Sequence, residues 1–539
     1  MAAEYIARHF AKNGLKLLGE DGFQYFEVVR DIELGPGNKL EFNGAQAVVN
    51  EDFIPFAFSE NARRTGALCF AGYGFDYASD TLNWNDYAGL EIADHWVMIL
   101  RGTPDPDLPA SPFDAQADIR RKVLEARDRS AAGVIMVSGK EFDEADDLVS
   151  LYYDKSQAGA NLPVIHVKRE LANQLLAESG KTIEELEAEM IANRQPASFN
   201  LPATITIETE VIQRKATTQN VAALLRGRDP VLRDEVIVIG AHYDHLGMGG
   251  PNSGSRVPDT LAVHNGADDN ASGVAAILEL AEQFAHGGTR PARSLLFLAF
   301  GAEEMGLIGS KYFTANPLVE KSRITAMVNF DMVGRMDPET KVLTIGGSGT
   351  AAGMEQRLRS LVSTTSIDLL LDPQGYGPSD HAAFYMEDIP VLFFFAGINQ
   401  DYHTPRDDFE MINLSGERLI SEYAYLVISD LASDPASLAF QEAGPKGPPR
   451  GGRRGKVTMG IVPDFTSIES RGLRVDGVIP GRPAAVGGML EGDIIVSLDG
   501  KPVKDIYDYM YRMGDLKAGQ RVNVDVLRGE KVVILIVEL

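Results

Sequence analysis

Acidic and histidine residues gather at the ends of apolar runs. Gly240-Ala241-His242-Tyr243-Asp244-His245 follows one such run, and Gly266-Ala267-Asp268-Asp269-Asn270-Ala271-Ser272-Gly273 is a polar loop that leads into a helix-like stretch. Glu303-Glu304 follows Phe300-Gly301-Ala302, Asp331 follows Asn329-Phe330, and Asp401-Tyr402-His403-Thr404 follows the run ending near Phe395. His242 and Asp244 stand two apart, so an extended backbone would turn both to one side, a spacing suited to a metal-bound imidazole steadied by a carboxylate. Two histidines and three carboxylates delivered together form a donor set for two divalent ions sharing one carboxylate. Such a pair clamps a water and a substrate oxygen side by side. Imidazole with carboxylate suits zinc best, with manganese or cobalt as substitutes. Of Glu303 and Glu304, one would bind metal and the other would serve as general base; the residues alone do not say which.

These side chains need rigid elements behind them. From about 206 to 435 short β-branched runs alternate with helix-like stretches. Glu235 to Gly240, Ser294 to Phe300, Thr325 to Asp331 and Pro390 to Phe395 read as buried strands; Ala271 to Ala285, Gln356 to Leu361 and Ser415 to Leu431 read as helices. Apolar strands separated by helices predict an α/β fold, a mostly parallel sheet with helices on both faces. Ligands of such a sheet bind beyond the carboxyl ends of its strands, which is where the acidic and histidine residues fall.

Between about 42 and 205 the sequence turns Gly-rich and aromatic. Trp96 to Leu100, Gly133 to Val137 and Leu162 to Ile165 read as strands and Ile119 to Arg129 as a helix, together an inserted α+β unit. Pro and Gly dominate 436–455, whose arginines read as a solvated spacer. Residues 456–539 read as short strands around one helix. The expected division is therefore 1–41 with 206–435, an insertion at 42–205, a linker at 436–455 and a third domain at 456–539. The 539 residues suit three to four domains.

Lys plus Arg number 51 against 77 Asp plus Glu, a formal charge of −26 that argues against nucleic acid or an anionic membrane as partner. No apolar run is long enough to span a membrane. Cys69 is the single cysteine, which excludes disulfide frameworks and Cys-rich metal sites within the chain and reads as a small buried residue. The first helical stretch starts without a capping residue, so the chain is expected to be a mature or engineered fragment of an exported precursor.

Taken in order, the His242-Tyr243-Asp244, Asp268-Asp269-Asn270, Glu303-Glu304, Asn329-Phe330-Asp331 and Tyr402-His403-Thr404 motifs resemble those of the M28 family of dizinc aminopeptidases, over roughly 206 to 435. The resemblance implies a zinc-peptidase sandwich and two zinc ions per chain. It implies that Asp269 bridges them, that His242 and Asp331 complete one site, and that Glu304 and His403 complete the other. It makes Glu303 the base, Asp244 the carboxylate behind His242, and Tyr402 a donor to the developing oxyanion. A Ser379-Asp380-His381 stretch is similar to one near the substrate cleft of family members, a position it shares with a structural hydrogen-bond cluster as the alternative.

The insertion is similar to the protease-associated (PA) domain in Phe70-Ala71-Gly72-Tyr73-Gly74, Asp86-Tyr87-Ala88-Gly89-Leu90 and Ala132-Gly133-Val134-Ile135. The last block resembles a mainly-β PDZ domain, with Met459-Gly460-Ile461 where such domains take a peptide carboxylate on backbone N–H groups, and with Gly481-Arg482-Pro483 and Gly492-Asp493 as further marks. The implied function is hydrolysis of the N-terminal residue of peptides, with a C-terminal peptide as ligand of the PDZ block. Rival expectations are a carboxypeptidase or dipeptidase of the same architecture, a glutaminyl cyclase-like transferase, and a non-catalytic peptide-binding protein. The resemblance favours a periplasmic or extracellular location and leaves a cytoplasmic one open.

Overall fold

The structure, a computed structural model, describes residues 1–78, 82–105, 111–114, 116–151, 159–251, 253–288, 290–436, 438–444, 446, 459–463, 471–478, 482–504, 508–509, 512–513, 516–517 and 519–539. Most of the expected linker, and Gly481, lie outside these residues. The chain divides into two compact units, Met1–Val28 with Lys215–Gly452, and Val29–Arg214 with Arg453–Leu539.

The first unit is built on a nine-stranded sheet. Val236–His242 lies between Ser294–Phe300 and Ile324–Phe330, parallel to both, and Ile324–Phe330 is parallel to Val391–Phe395. Four neighbouring strands therefore deliver their carboxyl ends to one edge. Their side chains alternate between two apolar clusters: Leu295, Phe297 and Ala299 join Ile237 and Ile239 on one face, and Leu296, Leu298 and Phe300 join Val236 and Val238 on the other. Helices Ala2–Lys12, Gly273–His286 and Leu414–Ser433 cover the first face; Phe313 and the helix His381–Met386 cover the second. Two-sided burial is why these strands are continuously apolar. At about 25 cal/mol per Å² of apolar surface removed from water, they are the main source of the unit's stability. Sequence reading did not place the strands Phe23–Leu34 and Val211–Leu225, which pair with each other, nor Val342–Gly346 and Asp368–Leu371.

The second unit contains an eight-stranded sheet whose centre is Ala62–Phe70, Trp96–Leu100, Gly133–Val137 and Val164–Val167, mutually parallel. Cys69 is fully buried with Val97 and Ile99, and burial pushes its thiol up to about 12. The C-terminal block is a six-stranded sheet closing on Leu473, Val475, Ile495, Val524 and Val537. Met459 is buried in that core, Gly460 has φ +75°, and Ile461 starts the edge strand Ile461–Pro463. Arg512 reaches both oxygens of Asp128 at 2.7 and 2.8 Å, and Arg127 pairs in return with Asp508. Among the described residues no helix is long and apolar enough to cross a membrane.

Candidate metal centre

His242 is the last residue of its strand and lies in register with Phe300 on the next. Glu303 and Glu304 follow Phe300 by three and four residues, and Asp331 immediately follows the strand Ile324–Phe330. Asp269 sits in the turn Ala267–Ser272 that enters the helix Gly273–His286. That turn is held from two sides. The Asp407 carboxylate accepts the backbone N–H groups of Asp268 and Asp269, both at 3.0 Å, and Asn270 donates its amide to the Phe330 carbonyl at 2.9 Å. Ala302, Met332 and His403 adopt positive φ of 58°, 52° and 56°. Non-glycine residues held there cost on the order of 1–3 kcal/mol each, and all three adjoin or belong to the cluster.

The cluster centres on Asp269. Its Oδ1 lies 3.3 Å from His242 Nε2 and its Oδ2 3.2 Å from His403 Nε2. Asp331 is 3.5 Å from His242, and Glu304 is 3.4 Å from His403. Ligands bound tetrahedrally at about 2.1 Å stand about 3.4 Å from one another, which these four separations match. Glu303 stands farther off, 4.0 Å from His242. Both imidazoles are held in one tautomer. His242 Nδ1 donates to the Asp244 carbonyl at 3.1 Å, and His403 Nδ1 donates to the Gly254 carbonyl at 3.0 Å. Each Nε2 is thereby left to face carboxylates, an arrangement that suits either a proton on the ring or a metal ion between the two groups. Asp331 Oδ1 is moreover buried without a hydrogen-bond partner. The residues present fit a pair of divalent ions.

Titration follows the same electrostatics. Burial pulls the two imidazoles down, but Glu303 and Asp331 around His242, and Asp269 and Glu304 around His403, outweigh it; His403 rises to about 10. Burial pushes Glu304 up, but His245 and His403 overcome it and hold the carboxyl at about 2. Asp269 is likewise held well below the carboxylate range, because His242 and His403 outweigh its burial. Glu303 goes the other way. Burial, together with Asp380, Asp331 and Glu304, drives it far up, so the two adjacent glutamates differ in the sense a ligand and a proton carrier require.

One expectation is corrected. Asp244 backs His242 through its main-chain carbonyl, because the strand ends at His242 and strand alternation stops there. Its carboxylate instead accepts the Glu303 and Glu304 N–H groups at 3.0 and 3.3 Å, fixing the loop that carries both glutamates. Asp380 and His381, offered as either cleft residues or a structural cluster, are 0% and 1% exposed. The His381 ring lies flat on Phe393 at 4.4 Å, and burial moves Asp380 up to about 7 and His381 down to about 3. Tyr402 stacks on His403 at 3.8 Å, beside the cluster. Sequence reasoning missed Asp407, and placed His245 at a strand end without giving it a role. The one sign of Asp407 was its place four residues after His403, and His245 was visible only as a third polar residue at the same strand end.

Residues 220–428 match the family described as Peptidase family M28, and residues 457–539 match a PDZ domain. The chain carries an M28 peptidase domain followed by a PDZ domain. Leupeptin-inactivating enzyme 1 of Streptomyces exfoliatus is 34% identical over 183 residues, covering 34% of this chain and 36% of that protein. Aminopeptidase YwaD of Bacillus subtilis (strain 168) is 26% identical over 307 residues, 55% of this chain and 56% of that one. A probable zinc metalloprotease of Pyricularia oryzae is 36% identical over 149 residues, 25% and 27% of the two chains. The matches thus span between about a quarter and just over half of these relatives. Among solved structures, the aminopeptidase from Aneurinibacillus sp. strain AM-1 is 22% identical with a TM-score of 0.45, covering 82% of this chain and 90% of that one.

Proposed function

We propose that the chain is a dizinc metallo-aminopeptidase that removes the N-terminal residue of peptides. One observation carries the reading: the two oxygens of a single carboxylate, Asp269, face His242 at the end of one strand and His403 in a turn beyond another. The donor chemistry, imidazole with carboxylate, suits zinc, and the names of the relatives point the same way. His242 and Asp331 would hold one ion and His403 and Glu304 the other, with Asp269 shared. Bound there, the pair supplies positive charge that acidifies a water and polarises the scissile carbonyl.

The remaining work falls to the chain's own groups. Glu303 stands outside the donor shell with a raised proton affinity, so as a carboxylate beside the bound ions it would take a proton from the attacking water and, once protonated, pass it to the leaving amine. Tyr402 keeps its phenol protonated, through burial and the surrounding carboxylates, and so remains a donor to the oxygen that gains charge. Asp407 and Asp244 hold the two loops at rest, which lowers the reorganisation needed at reaction. The PA-like reading of the insertion, peptide capture at Met459-Gly460-Ile461, and an exported location belong to the same proposal.

Metal content and turnover of aminoacyl chromogenic substrates, before and after chelation, test it. Two ions per chain and loss of turnover on stripping, restored by zinc, are expected. Activity that survives complete stripping overturns it. An acetylated peptide should resist and its amidated counterpart should be cut; the reverse pattern would make the enzyme a carboxypeptidase.

A further inference from the structure

His245 is three residues beyond His242, and the proposed donor set leaves it unused. Its side chain is 9% exposed, and both ring nitrogens are buried without a hydrogen-bond partner. Nδ1 nevertheless stands 2.8 Å from Glu304 Oε1, the oxygen that also lies 3.4 Å from His403 Nε2. The ring meets that of His403 edge to face, with centroids 5.7 Å apart. On its other side it packs on Gly266, where an added Cβ would fall 2.7 Å from the ring. The loop that carries Asp269 therefore leaves room for an imidazole at this place. One donor atom each from His245, Asp269 and Glu304 lie within 4.8 Å of one another.

Resting on the two-ion reading above, we propose that His245 is a fourth protein ligand, through Nδ1, of the ion held by Asp269, Glu304 and His403. The Nδ1 atom thus lies beside an oxygen that also faces His403, where an ion could be shared among the three groups. Four protein ligands and a water would make the ion five-coordinate, a number that zinc adopts. Among the described residues, His242 is the one imidazole paired with Asp331. The two ions should therefore differ: the one beside His403 is held more tightly and carries two imidazole nitrogens.

The test is competition of the zinc-loaded full chain against graded chelator, for the wild type, His245→Ala and His245→Asn, with cobalt(II) absorption as a second readout. The wild type should release its two ions in separate steps. His245→Ala should keep one ion at wild-type affinity and weaken the other about 100-fold, with a changed cobalt spectrum, and His245→Asn should do the same because an amide is a poor ligand. Wild-type affinity for both ions in His245→Ala overturns the assignment. So does equal weakening of both ions, which marks general loosening. Recovery in His245→Asn also overturns it, since an amide N–H can replace a hydrogen bond to Glu304 but not a ligand nitrogen. A wild type that binds fewer than two ions refutes the two-ion reading itself, a result distinct from all of these.

Discussion

Asp269→Asn separates a bridging carboxylate from an ordinary ligand. In the structure Oδ1 addresses His242 at 3.3 Å and Oδ2 addresses His403 at 3.2 Å. Asparagine keeps the shape and the two backbone N–H bonds to Asp407, because those come from the main chain. It loses one of the two oxygens and the whole negative charge. A four-ligand zinc site is worth about 10–16 kcal/mol, so one ligand accounts for about 2.5–4 kcal/mol. At 1.4 kcal/mol per tenfold, the ion facing the amide nitrogen should bind about 10²–10³-fold more weakly. The other ion keeps an oxygen and should weaken less. Metal content after dialysis against graded chelator reads both effects, with turnover followed in the same samples. One ion retained, one lost at chelator levels that leave the wild type intact, and turnover lost in step is the expected result. Two ions held with wild-type affinity would refute the shared carboxylate, however low the activity.

Glu303→Gln should lower turnover by about 10²–10⁴ while both ions stay, and near-normal turnover would place the base elsewhere. His166 is buried and neutral: Nδ1 accepts the Val149 N–H at 3.1 Å, and burial pulls its pKa from 6.5 down to about 3. The unfolded chain takes a proton that the folded one refuses, so stability is full above about pH 6.5 and falls as pH drops toward about 3. The loss is on the order of 3 kcal/mol by pH 4, and His166→Asn should flatten that limb of the urea-unfolding profile; an unchanged limb would refute the assignment. Arg512→Ala leaves the Asp128 carboxylate without its bidentate partner and should destabilise the full chain by about 3–5 kcal/mol. Additivity with Asp128→Ala in a double-mutant cycle would show that the two do not interact.

What could be read from the sequence follows from burial. Ser294–Phe300 is apolar at every position because both of its faces are covered, and a run of that kind announces itself without periodicity. The strand Val211–Leu225 shows the opposite case. Its second half is apolar and joins the central sheet, while its first half, Gln213-Arg214-Lys215-Ala216-Thr217-Thr218, is polar and half-exposed and carries no comparable signal. The expected insertion, 42–205, is shorter than the compact stretch 29–214, since Lys39–Phe42 pairs with Phe199–Thr209 and that pairing is non-local. At the site, residue type and order were enough to bring His242, Asp269, Glu304, Asp331 and His403 to notice. The direction of the Asp244 carboxylate was not legible, because it depends on where the strand stops.

The same limit explains the residues that reading overlooked. A metal ligand must be His, Asp or Glu, and that chemistry survives in one dimension. The groups that hold the ligands act through backbone atoms far away in sequence: Asp407 on the Asp268 and Asp269 N–H groups, Gly254 on the His403 ring, Asn270 on the Phe330 carbonyl. Nothing in their residue types distinguishes them from ordinary turn formers. Yet they set the separations of 3.2–3.5 Å on which the two-ion assignment depends. Four carboxylates and three imidazoles share this one edge of the sheet, and the anchors hold the carboxylates together against their mutual repulsion. Holding them together in advance is the means by which a sheet edge becomes a site for multivalent cations.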